Sequence, residues 1–266
     1  MRRLTLISLA MMAIPTFGAA SPFDDLASIE ILPGWRNASG EHMAGIRITM
    51  DPGWKTYWRA PGDGGIPPQF SFAGSENITG FTPHWPVPQV FYQNGMYSVG
   101  YADTLVLPLS LYSADPDAPI QISGQIDIGV CEEICIPVTL SFDELLPPSG
   151  ERSAAITAAL INRPMTAAEA NVGDVICQIA PISDGLAVTA TMNVAATADK
   201  EHVVVETGDA DVWVSEADVS RTGDTLRATV EMVHTSRTAF ALDRSAVRIT
   251  VLGGGQAIDI HGCKAG

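Results

Sequence analysis

The sequence predicts an all-β protein made of two β-sandwich domains joined by a short helical linker. Three observations lead there. Short runs that alternate apolar and polar residues recur in both halves, as in 45–50 (GIRITM) and 121–128 (QISGQIDI), and that period belongs to half-buried strands. Gly, Pro and Asn interrupt the runs about every 8–12 residues, the turn spacing of an antiparallel sandwich. One Ala-rich stretch, 151–162 (ERSAAITAALIN), reads as a helix, and it lies between the halves.

Taken in order, Met1-Arg2-Arg3, an apolar run over 4–14, Pro15 and the small residues Gly18-Ala19-Ala20 read as a secretory signal, residues 1–20, cut after Ala20. The run is shorter than the ~20 apolar residues a bilayer span needs, and no later segment approaches that length, so no direct membrane anchor is expected. No cysteine near the cut offers a lipid attachment point. The first domain is read over 21–146. Within it 104–111 (TLVLPLSL) is continuously apolar, and Pro108 predicts an edge strand or a bulge there. Pro147-Pro148-Ser149-Gly150 then breaks the strand pattern, the helix over 151–162 stops before Pro164, and 166–169 is helix-compatible. Residues 147–170 thus form an ordered linker. The second domain, 171–266, returns to strands at 172–179, 186–194, 202–207, 212–215, 226–233, 247–252 and 257–261. Asp184-Gly185 and Thr222-Gly223-Asp224 mark hairpin turns in it.

Charge narrows the function. The formal net charge is -15, and removing 1–20 takes away two arginines and no acids, leaving 13 basic against 30 acidic residues, or -17. A surface that acidic repels nucleic acid and anionic lipid, so neither is expected as a partner.

The four cysteines carry the chemistry. Cys131 and Cys135 lie four positions apart, with Pro137 and the pre-proline Ile136 holding the chain extended just afterwards. A fully extended chain would part their Cα atoms by about 13 Å at ~3.3 Å per residue, whereas a tight loop brings them to the ~5.5–6 Å of a disulfide. Redox exchange, an inert hairpin staple and a metal site all suit such a pair. The ring is too small to stabilise much through loop entropy, which favours exchange. A metal would need a histidine from afar (His42, His84, His202, His234 or His261), and none stands at ligand spacing, so neither metal nor cofactor is expected. Glu132 and Glu133 inside the loop raise the thiol pKa, and no lysine or histidine is adjacent in sequence to oppose them. Cys177 and Cys263 are distant from each other, and closing so long a loop stabilises by about 4–5 kcal/mol, so they are read as a structural disulfide. Lys264 beside Cys263 leaves a reactive thiol there as the alternative.

Two aromatic clusters complete the pattern. Trp54, Tyr57 and Trp58 fall within five residues ahead of a Gly/Pro run, and at least one of the two tryptophans is expected in the core. Phe91 and Tyr92 sit in a Pro-broken loop, where exposed aromatics need a reason. The stretches GWKTYWRAPGDGGIPPQF, PVPQVFYQNGMYSVGYADTLVLPLSL and GVCEEICIPVTLSF, in this order, resemble the N-terminal periplasmic domain of the thiol:disulfide interchange protein DsbD, including its relatives in copper-sensitivity suppressor proteins. The resemblance covers about residues 25–145. It implies an immunoglobulin-like first domain in the bacterial periplasm, with Cys131 and Cys135 as the active pair. It further implies that Phe91 and Tyr92 form a cap that shields the pair, and that Tyr57 is an aromatic near the cysteines. The implied activity is protein-disulfide reduction. Electrons would come from a membrane thiol–disulfide donor and pass to thioredoxin-like or other disulfide-containing periplasmic proteins. The cysteine spacing is shorter than in well-known members, and Gln89 and Val90 stand where acids often precede the Phe-Tyr. The chain carries no counterpart of DsbD's membrane and thioredoxin-like domains, so the donor is expected to be a separate protein. The competing expectation is a non-enzymatic periplasmic adaptor in which Cys131–Cys135 is permanent.

Overall fold

Alternation of side chains along extended strands decides how the chain layers. In the computed structural model, which describes residues 26–266 apart from Asp63 and Asn94, two β-sandwiches follow one another; the predicted signal, 1–20, lies outside the described residues. The first sandwich contains β1 (Ala27–Arg36), β2 (His42–Met50), β3 (Lys55–Tyr57), β4 (Gln69–Ser71), β5 (Gly80–Pro83), β6 (Gln89–Gln93), β7 (Met96–Ala102), β8 (Thr104–Tyr112), β9 (Ile120–Cys131) and β10 (Cys135–Leu146). One sheet has the order β1-β2-β8-β5; the other runs β10-β9-β3-β7-β6, with β4 also pairing β9. Every second residue of β2 (Ala44, Ile46, Ile48) and of β8 (Leu105, Leu107, Leu109, Leu111) is buried, and they meet Val99, Tyr101, Ile126, Ile128 and Val130 of the facing sheet. Trp58 is buried in this core and Trp54 packs partly against it.

Pro108 corrects the expectation of an edge or bulge. It sits in β8, between β2 and β5, in unbroken register opposite Gly45. A residue's N–H and C=O point to the same side of a strand, and the Pro108 carbonyl accepts from His84 N at 2.8 Å, just past the end of β5. The missing N–H therefore faces the place where the neighbouring strand has already stopped, and no ladder bond is lost.

The linker helix α1 (Ala154–Ile161) is shorter than predicted, because Ser153 caps it by accepting from Ile156 N. Its buried Ile156 docks where Gly45 leaves room: a Cβ on Gly45 would lie 2.9 Å from Ile156. Residues 165–169 differ from the helical expectation. Met165–Thr166 form β11, parallel to β19 (Gln256–His261), before a single turn that Thr166 and Glu169 cap reciprocally.

The second sandwich adds β12 (Val175–Pro181), β13 (Leu186–Asn193), β14 (His202–Glu206), β15 (Val212–Val214), β16 (Asp218–Thr222), β17 (Thr225–His234), β18 (Arg248–Gly253) and β20 (Lys264–Ala265). Its sheets run β11-β19-β18-β14 and β15-β17-β13-β12-β20, with β16 also on β17. The sequence reading omits β16, since DVSRT is polar and half-exposed; pairing with β17 makes it a strand. β18 is buried on both faces: Ile249 and Val251 fill the second core, while Leu252, with Ala257 of β19, joins the first. Arg59 reinforces this seam. It stacks on Trp58 at 3.8 Å and donates to both oxygens of Glu206 in the second sandwich, at 3.1 and 2.9 Å.

Candidate redox site

β9 and β10 form one long antiparallel hairpin, paired without a slip from Leu146↔Ile120 to Cys135↔Cys131. The cysteines therefore face each other at its tip, bonded, with Cα atoms 4.2 Å apart and the loop Glu132-Glu133-Ile134 between them. That separation is close to that of residues directly opposite on paired strands, and shorter than the common disulfide spacing used above. Cys131 is only 1% exposed, whereas Cys135 is exposed. The bond thus offers one sulfur to a partner and keeps the other inside.

The neighbouring strand supplies the environment. Lys55 of β3 pairs with Cys131, so Lys55, Cys131 and Cys135 form a row across three strands on one sheet face. Tyr57, two residues on, shares that face. Its ring lies over Gly129, where a Cβ would come within 3.0 Å of it, so the glycine makes the approach possible. The Tyr57 hydroxyl reaches Cys131 Sγ at 2.9 Å, Cys135 Sγ at 3.1 Å and the Gly64 carbonyl at 3.2 Å. Neither disulfide sulfurs nor a carbonyl carries a proton, so the phenol's single proton is shared among these three acceptors, Cys131 Sγ being the nearest. Tyr57 is 2% exposed, and burial raises its pKa, which keeps the proton in place.

Lys55 is 9% exposed, and burial lowers its pKa. Its ammonium donates to Gln93 Oε1 at 2.8 Å and lies 4.9 Å from the Phe91 ring centre. Gln93 Nε2 in turn donates to the Glu132 carbonyl in the cysteine loop at 2.5 Å. The sequence reading found no lysine adjacent to the pair; the sheet brings one from 76 positions away. Neither Lys55 nor Gln93 was singled out, although Lys55 and Tyr57 stand at the i, i+2 spacing of one strand face. A cleft of about 50 Å³, lined by Lys55, Tyr57, Gln93, Ser98 and Cys135 among others, opens on the bond.

The two cap residues part company. Successive residues of β6 point to opposite faces, and Phe91, paired with Ser98, joins Lys55 on the cysteine side. Tyr92, 55% exposed, points the other way, toward the second sandwich, where its hydroxyl meets His202 Nδ1 at 3.1 Å. The adjacent pair that the resemblance presents as one shield is thus divided: Phe91 approaches the site through Lys55, and Tyr92 leaves it.

Cys177 and Cys263 are bonded across 86 positions, and Cys177 is wholly buried in the second core. Lys264 is engaged by Asp174 at 2.6 Å. Among the described residues no group of three or more His, Cys, Asp or Glu side chains is placed to hold a metal, and no helix is long and apolar enough to cross a membrane.

Residues 29–147 match the family model described as "Thiol:disulfide interchange protein DsbD, N-terminal", which spans the first sandwich. No curated protein matches the chain. The N-terminal periplasmic domain of ScsB from Proteus mirabilis superposes with a TM-score of 0.69 at 21% identity, over 93% of this chain and 97% of that one, so the fold is shared along both sandwiches. A protein of unknown function from Porphyromonas gingivalis W83 aligns over 88% and 99% of the two chains at 11% identity with a TM-score of 0.22, too low for a common fold. The resemblance read from the sequence holds, and the all-β fold has an immunoglobulin-like first sandwich.

Proposed function

We propose that this chain, with a first sandwich of the DsbD N-terminal type, is a periplasmic dithiol carrier. It accepts electrons from a membrane thiol–disulfide donor and reduces disulfides of periplasmic proteins through Cys131 and Cys135. The observation that carries this reading is the buried Tyr57 hydroxyl, set within 3.1 Å of both sulfurs of a bond at an accessible hairpin tip.

The exposure of Cys135 and the burial of Cys131 support the following steps. A donor thiolate attacks the exposed Cys135 Sγ; the Cys131–Cys135 bond breaks and Cys131 leaves as a thiolate. Tyr57 donates a hydrogen bond to that thiolate and the Lys55 ammonium faces the same pocket, so both lower the thiol pKa. Their effect opposes the repulsion from Glu132 and Glu133. A second donor thiolate resolves the mixed disulfide, and the pair has gained two electrons, with protons taken up from solvent as each thiolate equilibrates. In the outward direction Cys135 attacks a target disulfide, and Cys131 then attacks Cys135 Sγ. The target departs as a dithiol and the internal bond re-forms. Phe91 and Gln93, which reach Lys55 and the cysteine loop, stand beside the approach a protein-sized partner takes to that sulfur.

The test is equilibration of the purified protein with glutathione buffers, with Cys131–Cys135 followed by thiol labelling. The carrier reading expects a potential of about -120 to -230 mV; a value below about -300 mV makes the bond a permanent staple and the protein an adaptor.

A further inference from the structure

The second sandwich takes no part in the exchange steps, yet one of its sides is open. A cavity of about 520 Å³ lies there, bordered by β14, β15 and, from the first sandwich, Arg59, Pro61 and Pro67. Each of the two strands is the last of its sheet. We propose that this groove is a docking site for an extended segment of a partner protein, apolar at alternate residues and carrying Lys or Arg, which pairs with the free edge of β14.

The backbone of β14, not one of its side-chain faces, borders the cavity. Val203 and Val205 pack into the second core and Val204 against the first, so both faces of the strand are taken, yet all three residues line the cavity. What they share is the edge. Its hydrogen-bonding parity follows from the sheet. Gly262 N donates to the Val247 carbonyl at 2.8 Å, so Val247, Ile249 and Val251 of this stretch bond β19, and Arg248, Thr250 and Leu252 bond β14. Their partners are Glu206, Val204 and His202. Val203 and Val205 therefore turn N–H and C=O outward, and among the described residues nothing bonds these groups. Such a row is what an added strand reads. The same cavity exposes Trp213 of β15, 47% open to solvent, a flat ring for an apolar side chain of the incoming segment.

Other edge strands are guarded, β1 by Glu30 and Pro33, and β10 by Pro137, Asp143 and Glu144. β14 instead presents three valines in a row and β15 reads Val-Trp-Val, with no proline or lysine in either. Charge selects the occupant. Arg59 and Glu206 in the lining neutralise each other, which leaves the exposed Asp209 and Glu216 as its net charge. A second copy of this chain would bring a net charge of -15 against them, whereas a cationic segment is attracted. On the carrier reading, such a tether raises the partner's effective concentration at Cys135.

Neither cysteine pair enters the test, so its outcome is independent of the carrier reading. The probe is a displayed library of random peptides about nine residues long, enough to cover one short strand edge, selected on the intact protein. The most enriched peptide is synthesised and its affinity measured by calorimetry. It is expected to alternate apolar residues and to carry net positive charge. Trp213→Ala weakens its binding about tenfold, the scale of one aromatic anchor. Asp209→Asn combined with Glu216→Gln weakens it about threefold at low salt and removes the salt dependence. A third readout alters only the peptide. N-methylation at alternate residues in one parity weakens binding by about tenfold or more, and in the other parity leaves it within about twofold, because only every second residue bonds β14. Equal loss in both parities, loss in neither, unchanged affinity in Trp213→Ala, or no enriched peptide overturns the docking site. An unaltered salt response in the acid variant overturns the cationic occupant. Sedimentation as a dimer that the peptide dissociates makes the occupant a second copy and overturns the partner segment.

Discussion

Cys131–Cys135 closes a ring over four positions at an exposed tip, whereas Cys177–Cys263 spans 86 and buries Cys177 in a core. On the chain-entropy account the long loop contributes about 4–5 kcal/mol and the short ring about 2. Their surroundings differ in the same direction. The short bond has a phenol donor, an ammonium and a cleft; Cys177 lies among Val175, Val188, Ala190 and other apolar residues. On the carrier reading, stability lies in one disulfide and reactivity in the other.

The largest expected effects separate these roles outright. Cys135→Ala abolishes disulfide exchange, whereas Cys131→Ala leaves a thiol that attacks a target but cannot resolve, so mixed disulfides accumulate and are visible on non-reducing gels. Replacing both cysteines of this pair lowers stability in denaturant unfolding by only about 2 kcal/mol, while replacing Cys177 and Cys263 lowers it by about 4–5 kcal/mol and spares exchange in whatever fraction stays folded. If the order of the two stability losses were reversed, the division of labour would be wrong.

Tyr57→Phe comes next. A hydrogen bond to a charged group is worth about 1.5–3 kcal/mol, so the lower apparent pKa of the reduced pair should rise by about one to two units. The pH dependence of alkylation reads this directly. Lys55→Met should move it the same way by less, since Lys55 reaches the loop through Gln93. An unchanged profile in Tyr57→Phe would leave the hydroxyl a packing contact only.

How far these features were legible in sequence follows from the range of the signal. The strands and the cysteine hairpin are local: period-two alternation and a loop ahead of Ile136-Pro137 suffice, whereas the aromatic run promised a core tryptophan without saying which of Trp54 and Trp58 it is. Tyr57 was reachable through the resemblance, which placed an aromatic near the pair. Lys55 was not, because its nearness depends on the register of β3 against β9, set by residues 76 positions apart. Tyr92 shows a finer failure. Its motif was recognised, but parity along β6 decides which face it takes, and a two-residue motif carries no parity until its pairing is known. Pro108 misled for a related reason: its exception depends on where β5 ends, not on β8 itself.

The smallest effect contrasts the sandwiches rather than the disulfides. In the first, burial lowers the pKa of His42 and of His84. Their folded pKa values lie below the unfolded value of about 6.5, so protons bind the unfolded chain more readily and stability falls as pH drops through that value. In the second, burial acts to raise Glu201 and Asp259, but the hydrogen bonds and charges of Arg221 and Arg248 outweigh it and hold both low. Their contribution persists until pH falls toward the ordinary carboxylate range near 4. Burial, with Lys200 nearby, lowers His202 in the second sandwich as well, so between pH 7.5 and 5.5 both sandwiches should lose melting temperature, the first, with two such histidines, more than the second. Amide exchange resolved along the chain measures this, and His42→Asn should flatten the first sandwich's slope. Equal slopes in both halves would remove the histidines as the source of the difference.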